Sequence, residues 1–362
     1  MLERNISQKT IPILIPQAPK YVKLRRYLRQ IDKEKRYSNF GPLNRMLIER
    51  LAHYLHQPDS NVQTAANATL AIQGAIATSR VSTKIWEMPS WTFAATAHGA
   101  LNAGAEVHLV DISEETWRAK FTGETENLLD VLPFGDNFDF ERIQMTSGTI
   151  VVDAAASIMA LENCALNNRN RIGVVISLHA TKLLPAGEGA VFFTNCPEWS
   201  SRFKKWTNYA FDDDRESKFI ATNAKLSEYS AAVALASLDE FPGVRLTLES
   251  KMHKAEIISR KFGFENHPAM KSGLVTPYWI VKVQNSTRKK EIITSFKENG
   301  IDVRDWWNAG CHKQKAFKHL KCEIMKNTDK LSSTTLGLPF HNFLKSGDFA
   351  RISEVLDKSE LE

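Results

Sequence analysis

Short apolar runs alternate with helical patterns between about residue 60 and residue 195, and this alternation constrains the fold more than any other feature. Helical segments such as TLAIQGAIA and FAATAHGALNAG separate runs that are typical of buried strands. These runs are KIWEMPS (84–90), EVHLVDI (106–112), TIVVDAAAS (149–157), GVVISLH (173–179) and AVFFTN (190–195). Strands separated by helices predict an α/β fold with a mainly parallel sheet covered by helices on both faces.

The last third of the chain has a different pattern. An alanine-rich helix is predicted over residues 224–239, and the tripeptide FPG at 241–243 predicts its end. A basic helical stretch follows, then the apolar segment TPYWIVKV (276–283) and further helical segments. We therefore expect a large domain over residues 1–245 and a smaller α+β domain over residues 246–362.

Several classes of protein are disfavoured. No window approaches eighteen consecutive apolar residues, and the N-terminal run IPILIP is too short for a signal peptide. The 47 basic and 41 acidic residues give a net charge of +6, but the basic residues are scattered and favour solvated helix faces over a nucleic-acid surface. The four cysteines form no CxxC pair, so neither a zinc site nor a disulfide framework is expected. A cytoplasmic protein without a metal, a membrane anchor or a nucleic-acid partner is the expectation.

The common phosphate and hydrolase motifs are missing. The chain has no GxGxxG after its first strand and no GxxxxGK[ST], which disfavours Rossmann dinucleotide binding and P-loop chemistry. It also lacks HExxH and GxSxG, the motifs of zinc proteases and of the hydrolase elbow.

Polar residues at the ends of predicted strands suggest another chemistry. Asp153 ends the strand TIVV, and Lys182 follows the strand GVVI in a turn. Individually, Asp153 could be a helix N-cap and Lys182 an ordinary loop lysine. Together with Ala68-Thr69 at the start of a helix and Phe93 after a strand, they supply what pyridoxal phosphate needs. These needs are a lysine for the aldehyde, a carboxylate for the pyridine nitrogen, a helix N-terminus for the phosphate and a flat ring for stacking.

These segments resemble the DegT-type sugar-nucleotide aminotransferases, a branch of the fold-type-I pyridoxal-phosphate enzymes. The resemblance covers nearly the whole chain and rests on five ordered segments. They are SNFGPLNRMLIERLA (38–52), PSWTFAATAHGALNAGAEVHLVDI (89–112), VVDAAAS (151–157), SLHATKLLPAGEGAVFFTN (177–195) and NAKLSEYSAAVALASLD (223–239). The resemblance implies a fold-type-I architecture, the cofactor pyridoxal phosphate and transamination from L-glutamate to a nucleotide-linked keto-sugar.

The resemblance assigns two catalytic residues. Lys182, in the S-x-x-x-x-K stretch, is implied to carry the cofactor covalently and to act as the catalytic base. Asp153, in the family's D-A-A motif, is implied to pair with the pyridine nitrogen. Ser177, which opens the lysine stretch, is implied to hold the cofactor phosphate.

Further cofactor contacts are implied at other positions. The backbone amides of Ala68 and Thr69 are implied to cradle the phosphate, and Phe93, rather than Trp91, to stack on the ring. Asn223 is implied to reach the phosphate of the neighbouring subunit's cofactor, so the resemblance implies a homodimer whose active sites are shared.

Substrate contacts are less constrained by the motifs. Lys225, Arg304 and the basic residues 20–26 are candidates for binding the diphosphate, with a solvated surface as the alternative for each. His312 lies where the family places a substrate-side loop. His179 is either a hydrogen-bonding partner near the cofactor or a packed structural residue.

Departures from the family pattern indicate a subgroup. Ala68 replaces a common glycine, Ala156 stands where Gln or His is frequent, and Leu183 replaces an asparagine. The segments VDAAAS and SLHATK are similar to those of enzymes that convert dTDP-4-keto-6-deoxyglucose to the 4-amino-4,6-dideoxy sugar, which implies a surface glycan such as O-antigen lipopolysaccharide. The alternatives are a 3-keto or UDP-linked substrate, a sugar dehydratase (disfavoured because Lys182 is present) and a regulatory protein without activity.

Overall fold

The computed structural model describes residues 10–139, 148–166 and 170–359. The N-terminal residues 1–9 and the final residues of the expected small domain lie outside the described residues. The helices are Tyr21–Glu34 (α1), Pro42–Leu55 (α2), Ala68–Thr78 (α3), Ala94–Asn102 (α4), Pro197–Trp206 (α5), Glu228–Lys261 (α6), Pro268–Lys271 (α7), Ser286–Glu298 (α8), Lys326–Thr334 (α9) and Ser346–Lys358 (α10). The strands are Val62–Ala65 (β1), Ile85–Pro89 (β2), Glu106–Val110 (β3), Leu128–Val131 (β4), Thr149–Asp153 (β5), Arg171–Ser177 (β6), Ala190–Thr194 (β7), Glu265–Asn266 (β8), Trp279–Lys282 (β9), Lys321–Cys322 (β10) and Thr335–Leu338 (β11).

The larger sheet is mainly parallel. Its eight strands lie in the order β1-β7-β6-β5-β4-β2-β3-β10, and β7 is antiparallel to both of its neighbours. The other pairings in this sheet are parallel. The predicted α/β class with a mainly parallel sheet is therefore confirmed, although β7, predicted only as a strand, runs against the rest.

Helices cover both faces of this sheet. Strand β5 illustrates the arrangement, because Ile150 and Val152 point into the core that contains Leu47 of α2. Val151, between them, points into the opposite core, which contains Ile72 of α3. A strand whose successive side chains are all buried is apolar throughout rather than alternating, as the sequence TIVV is.

The smaller sheet is antiparallel, in the order β11-β9-β8. Helix α6 connects it to the large sheet, since this helix contacts α1 and α2 near one end and β8 and β9 near the other. The prediction that FPG ends the helix at 241–243 is wrong, because α6 continues through Pro242 as a 34-residue helix. Pro242 is exposed, so its ring faces solvent, and packing at both ends of the helix offsets the lost hydrogen bond. The domain boundary proposed near residue 245 lies within this helix and stays a prediction.

Among the residues that the structure describes, no helix combines the length and the apolar character that crossing a membrane requires.

Candidate active site

Strand register brings the predicted polar residues to one edge of the large sheet. Asp153, the last residue of β5, pairs with Val175 of β6. Ser177, the last residue of β6, pairs with Ala190 of β7, which also pairs with Ala65 at the end of β1. The chain enters α3 just after Ala65. This edge therefore holds a carboxylate, a hydroxyl and a helix N-terminus, as expected for a ligand site at the carboxyl ends of parallel strands.

Asp153 is a buried carboxylate with a defined orientation. Its Oδ2 accepts a hydrogen bond from Thr96 Oγ1 at 2.7 Å, and its Oδ1 accepts one from the Ala155 backbone N–H at 3.1 Å. Burial raises the pKa of Asp153, and these two hydrogen bonds and the charge of Lys182 act against that rise. Thr96 is itself held by the Thr92 hydroxyl, 2.9 Å away. The carboxylate is thus fixed in an environment in which its charge needs a cationic partner.

Lys182 lies in the turn that follows β6. Its backbone N–H donates to the carbonyl of His179 at 2.8 Å, which shapes the turn. Its Nζ donates a hydrogen bond to Tyr278 Oη at 3.1 Å. The Lys182 charge also acts to lower the pKa of Asp153, although burial outweighs it.

The N-terminus of α3 has free amides. The Asn67 side chain caps the helix by accepting a hydrogen bond from the Leu70 N–H at 2.9 Å. Within the described chain, the backbone N–H groups of Ala68 and Thr69 have no acceptor. Ser177 Oγ accepts a hydrogen bond from the His179 N–H at 3.2 Å, which leaves its own proton to donate. Such amides and a hydroxyl suit an anion such as a phosphate.

Two aromatic residues near β2 have opposite environments. Phe93, the N-cap residue of α4, has 63% of its surface exposed. Trp91 is 2% exposed and packs against Trp117, Phe134 and Trp307. An open ring face is what stacking on a cofactor requires, so the structure favours Phe93 for that predicted role.

Asn223 and Lys225 form a separate group before α6. Lys225 Nζ donates to Asn223 Oδ1 and to Asn208 Oδ1, both at 2.7 Å, and lies 5.0 Å from the ring centroid of Tyr209. Burial lowers the pKa of Lys225. Asn223 is exposed, and within the described residues it makes no hydrogen bond to the Asp153 and Ser177 group. Its predicted contact with a partner's cofactor stays a prediction.

His312 is held on both sides by the protein. Its Nδ1 is 2.7 Å from Ser90 Oγ, and its Nε2 is 3.2 Å from Asp329 Oδ1. Its side chain is 7% exposed, and burial lowers its pKa. His179 is more open, with Nδ1 2.9 Å from Thr181 Oγ1.

Arg304 is exposed, with its guanidinium 4.8 Å from the ring centroid of Trp306. The Trp306 ring in turn lies 4.8 Å from the ring of Tyr278, the partner of Lys182. Arg304 is therefore linked to Lys182 through two aromatic rings.

Sequence reasoning missed Thr96, Asn67 and Tyr278. Thr96 gave no signal, since its hydrogen bond to Asp153 joins residues 57 positions apart. Asn67 precedes a predicted helix and fits an N-cap. Tyr278 gave no signal, since its contact with Lys182 joins residues 96 positions apart.

A lysine after one central strand, a buried carboxylate at the end of the neighbouring strand and an open helix N-terminus are groups that can hold pyridoxal phosphate. The model of the DegT/DnrJ/EryC1/StrS aminotransferase family matches residues 22–357, and the chain belongs to that family. The predicted family, enzyme class and cofactor are confirmed: the chain is a sugar-nucleotide aminotransferase that uses pyridoxal phosphate. Membership implies a nucleotide-linked keto-sugar and a glutamate-type amino donor.

Known proteins similar to this chain include two transaminases. A dTDP-4-amino-4,6-dideoxy-D-glucose transaminase from Shigella dysenteriae is 24% identical, with 94% of this chain and 96% of that protein covered. A UDP-4-amino-4,6-dideoxy-N-acetyl-beta-L-altrosamine transaminase from Campylobacter jejuni is 23% identical, with 80% and 83% covered. The structure of DesI in the presence of its TDP-sugar product has a TM-score of 0.84 at 24% identity, covering 97% of this chain and 95% of that one.

Proposed function

We propose that this chain transfers the amino group of L-glutamate to carbon 4 of dTDP-4-keto-6-deoxyglucose, giving the dTDP-linked 4-amino-4,6-dideoxy sugar. One observation carries the amino-transfer part: the buried Asp153 ends β5 and Lys182 follows the neighbouring strand β6, so both lie at the same edge of the sheet. The similarity to the Shigella transaminase over 94% of the chain supports the dTDP-linked substrate.

Each residue of the site has a separate role in the proposed transamination. Bound pyridoxal phosphate supplies an electron sink for the carbon that carries the amino group. Asp153, oriented by Thr96 and Ala155, would hold the pyridine nitrogen in its protonated form. Lys182 Nζ would take the proton from the α-carbon of glutamate and would give it to the cofactor carbon on the other side of the amino nitrogen. Glutamate would leave as 2-oxoglutarate, and its amino nitrogen would stay bound at the site until the keto-sugar enters. The Lys182 amine would then move the proton again while the sugar takes up that nitrogen in exchange for its keto oxygen.

The phosphate of the cofactor has its own binding group. The free amides of Ala68 and Thr69 and the hydroxyl of Ser177 fit a phosphate, and replacement of a family glycine by Ala68 leaves its backbone N–H in place. Phe93 would cover one face of the ring.

The sugar nucleotide needs cations for its diphosphate. We assign this role to Arg304, Lys225 and the basic residues 20–26. The exposed position of Arg304 beside Trp306 supports its part, since an Arg can bind a phosphate in two-point fashion. His312 would contact the substrate by exchanging its bond to Ser90 or to Asp329 for one to the sugar.

The active protein is proposed to be a homodimer in which Asn223 reaches the partner's cofactor. Large apolar side chains are exposed near this asparagine in the sequence. Ile220 is 97% exposed, and Tyr229 is 50% exposed and stacks at 6.2 Å on the half-exposed Tyr37. Exposed apolar groups of this size are typical of surfaces that bind another protein chain.

We place the enzyme in the cytoplasm, with a product used for O-antigen lipopolysaccharide or a related surface glycan. All four cysteines are free, which fits a reducing compartment. A UDP-linked or 3-keto sugar is the alternative substrate, supported by the similarity to the Campylobacter transaminase. A dehydratase is disfavoured because Lys182 is present.

The test is a direct assay with purified protein, pyridoxal phosphate and nitrogen-15-labelled L-glutamate. dTDP-4-keto-6-deoxyglucose and its UDP-linked counterpart are compared, and products are identified by mass spectrometry. We expect labelled amino sugar and an equal amount of 2-oxoglutarate with the dTDP substrate, and neither product with Lys182→Ala. Turnover of the UDP-linked sugar alone would contradict the proposed nucleotide, and loss of water without use of glutamate would contradict transamination.

A further inference from the structure

Tyr278 holds Lys182, although the two residues lie next to strands of different sheets. Lys182 follows β6 of the large sheet, and Tyr278 directly precedes β9 of the small one. Lys182 Nζ donates to Tyr278 Oη at 3.1 Å and lies 5.6 Å from the centroid of the tyrosine ring. The amine that performs the chemistry is therefore bound to the small sheet through a single hydroxyl.

The tyrosine ring is itself held firmly. It packs against Trp306 at 4.8 Å and meets the edge of Phe134 at 6.4 Å. Phe134 stacks at 4.2 Å on Trp307 with an interplanar angle of 12°. The Thr276 hydroxyl donates to the Tyr278 carbonyl at 2.8 Å, which fixes the backbone. Because the Tyr278 ring is packed on two sides, its hydroxyl has little freedom to move. The hydroxyl therefore holds Lys182 Nζ at one position.

A cavity beside Lys182 offers its amine an alternative position. A cavity of about 40 Å³ borders Lys182 and Tyr278 and extends to Leu14 and Ile15 of the N-terminal segment. It has room for one or two groups the size of a water molecule. The flexible four-carbon stem of a lysine can adopt many rotamers. Without the tyrosine hydroxyl, the amine could therefore turn toward this cavity.

A neutral hydroxyl is suited to this task. Asp153 already accepts hydrogen bonds from Thr96 and Ala155. Tyr278 accepts one N–H of Lys182 and adds no charge, so the remaining positions on the nitrogen are free for proton transfer. We infer that Tyr278 is a positioning residue, whose hydroxyl keeps the released Lys182 amine where it takes up and returns the substrate proton. This inference rests on the proposed function for its consequence and on the Lys182–Tyr278 contact for its geometry.

The variant that tests the inference is Tyr278→Phe, which removes the hydroxyl and keeps the ring. The matched control is Tyr54→Phe, since Tyr54 also loses one hydroxyl hydrogen bond, to the Ile158 carbonyl at 3.1 Å, at another place in the protein. In rapid-mixing experiments with glutamate, we expect Tyr278→Phe to slow the first half-reaction about ten- to hundredfold, the effect of a lost hydrogen bond to a charged group. The kinetic isotope effect with α-deuterated glutamate should increase, and the glutamate KM should stay within about twofold of the wild-type value.

A second measurement uses the cofactor-free protein and needs no turnover. Lys182 is labelled with an amine-reactive reagent, and peptide mass spectrometry follows the rate at this residue. We expect faster labelling in Tyr278→Phe than in the wild type, because the amine is released from its partner, and an unchanged rate in Tyr54→Phe. Equal labelling of all three proteins, or an unchanged isotope effect in Tyr278→Phe, would overturn the inference. A different outcome is faster labelling of Tyr278→Phe together with a wild-type protein that does not react with glutamate. That outcome would contradict the proposed function and would still support the Lys182–Tyr278 contact.

Discussion

Replacing Asp153 by asparagine is expected to stabilise the cofactor-free protein and to inactivate the enzyme. The side chain is buried, and its surroundings can accept an amide. Asn Oδ1 can accept the Ala155 N–H, and Asn Nδ2 can donate to Thr96 Oγ1, whose hydroxyl can turn to Thr92, 2.9 Å away. The variant therefore loses a buried charge without leaving a polar atom unpaired.

The sign of the stability change follows from the pKa. Burial raises the pKa of Asp153 above its ordinary value, so it outweighs the two hydrogen bonds and the attraction of Lys182. A carboxyl group whose pKa is raised by folding destabilises the folded state at every pH above that raised value. The penalty disappears below the pKa of the unfolded chain, about 3.9. Near neutral pH, we expect Asp153→Asn to raise the free energy of unfolding by about 1 kcal/mol, which is a usual size for one stabilising substitution.

The same substitution is expected to lower kcat about a hundred- to a thousandfold, because Asn would not hold the pyridine nitrogen in its protonated form.

Urea unfolding of both cofactor-free proteins between pH 5 and pH 8 provides the stability measurement, and the glutamate half-reaction provides the activity. The stability advantage of Asp153→Asn should shrink as the pH falls toward the ordinary aspartate pKa, since the wild-type carboxyl group then becomes protonated. A variant that is less stable than the wild type at pH 8 would refute the argument from burial. A variant with near-normal activity would refute the role of Asp153 at the pyridine nitrogen.

Three further substitutions test other parts of the account. Lys182→Ala should abolish turnover and still bind pyridoxal phosphate without a covalent bond, as measured by tryptophan fluorescence quenching; residual transamination would show that another group is the base. Asn223→Ala should weaken cofactor binding about tenfold, the effect of one lost hydrogen bond to a charged group, while sedimentation still reports a dimer; unchanged affinity would remove Asn223 from the shared site. Glu228→Gln should lower the free energy of unfolding by about 2 kcal/mol in urea titrations, because the buried carboxylate accepts the N–H groups of Leu43 and Asn44 at 2.8 and 2.9 Å at the start of α2. Wild-type stability of Glu228→Gln would contradict that role.

The central strands were predictable from local sequence. β2, β3, β5, β6 and β7 are apolar runs with polar residues at their ends, and four of them are strands within two residues of the predicted bounds. The fifth, β5, begins where predicted but ends at Asp153, four residues before the end of the run at 149–157. The strand LLDV at Leu128–Val131 was not predicted, because it is only four residues long and contains an aspartate. The reversed direction of β7 depends on pairing with β1 and β6, which local sequence does not encode.

The end predicted for a helix at Pro242 shows where a local rule fails. A proline inside a helix costs stability, but α6 packs against α1 and α2 and also against β8 and β9 of the small sheet, and these contacts keep its two halves in line. Within the site, strand ends and motif resemblance indicated Asp153, Ser177 and Lys182. Tyr278 was not predictable, since only the packing of the small sheet against the large one brings it to Lys182.

The central claim is that Lys182 binds pyridoxal phosphate and that glutamate donates an amino group there. An absorption spectrum of the purified protein with the cofactor, recorded before and after addition of L-glutamate, tests it most directly. We predict a visible band that depends on Lys182 and that glutamate converts to a near-ultraviolet band. A visible band that does not change when glutamate is added, or the absence of a visible band, would contradict the claim.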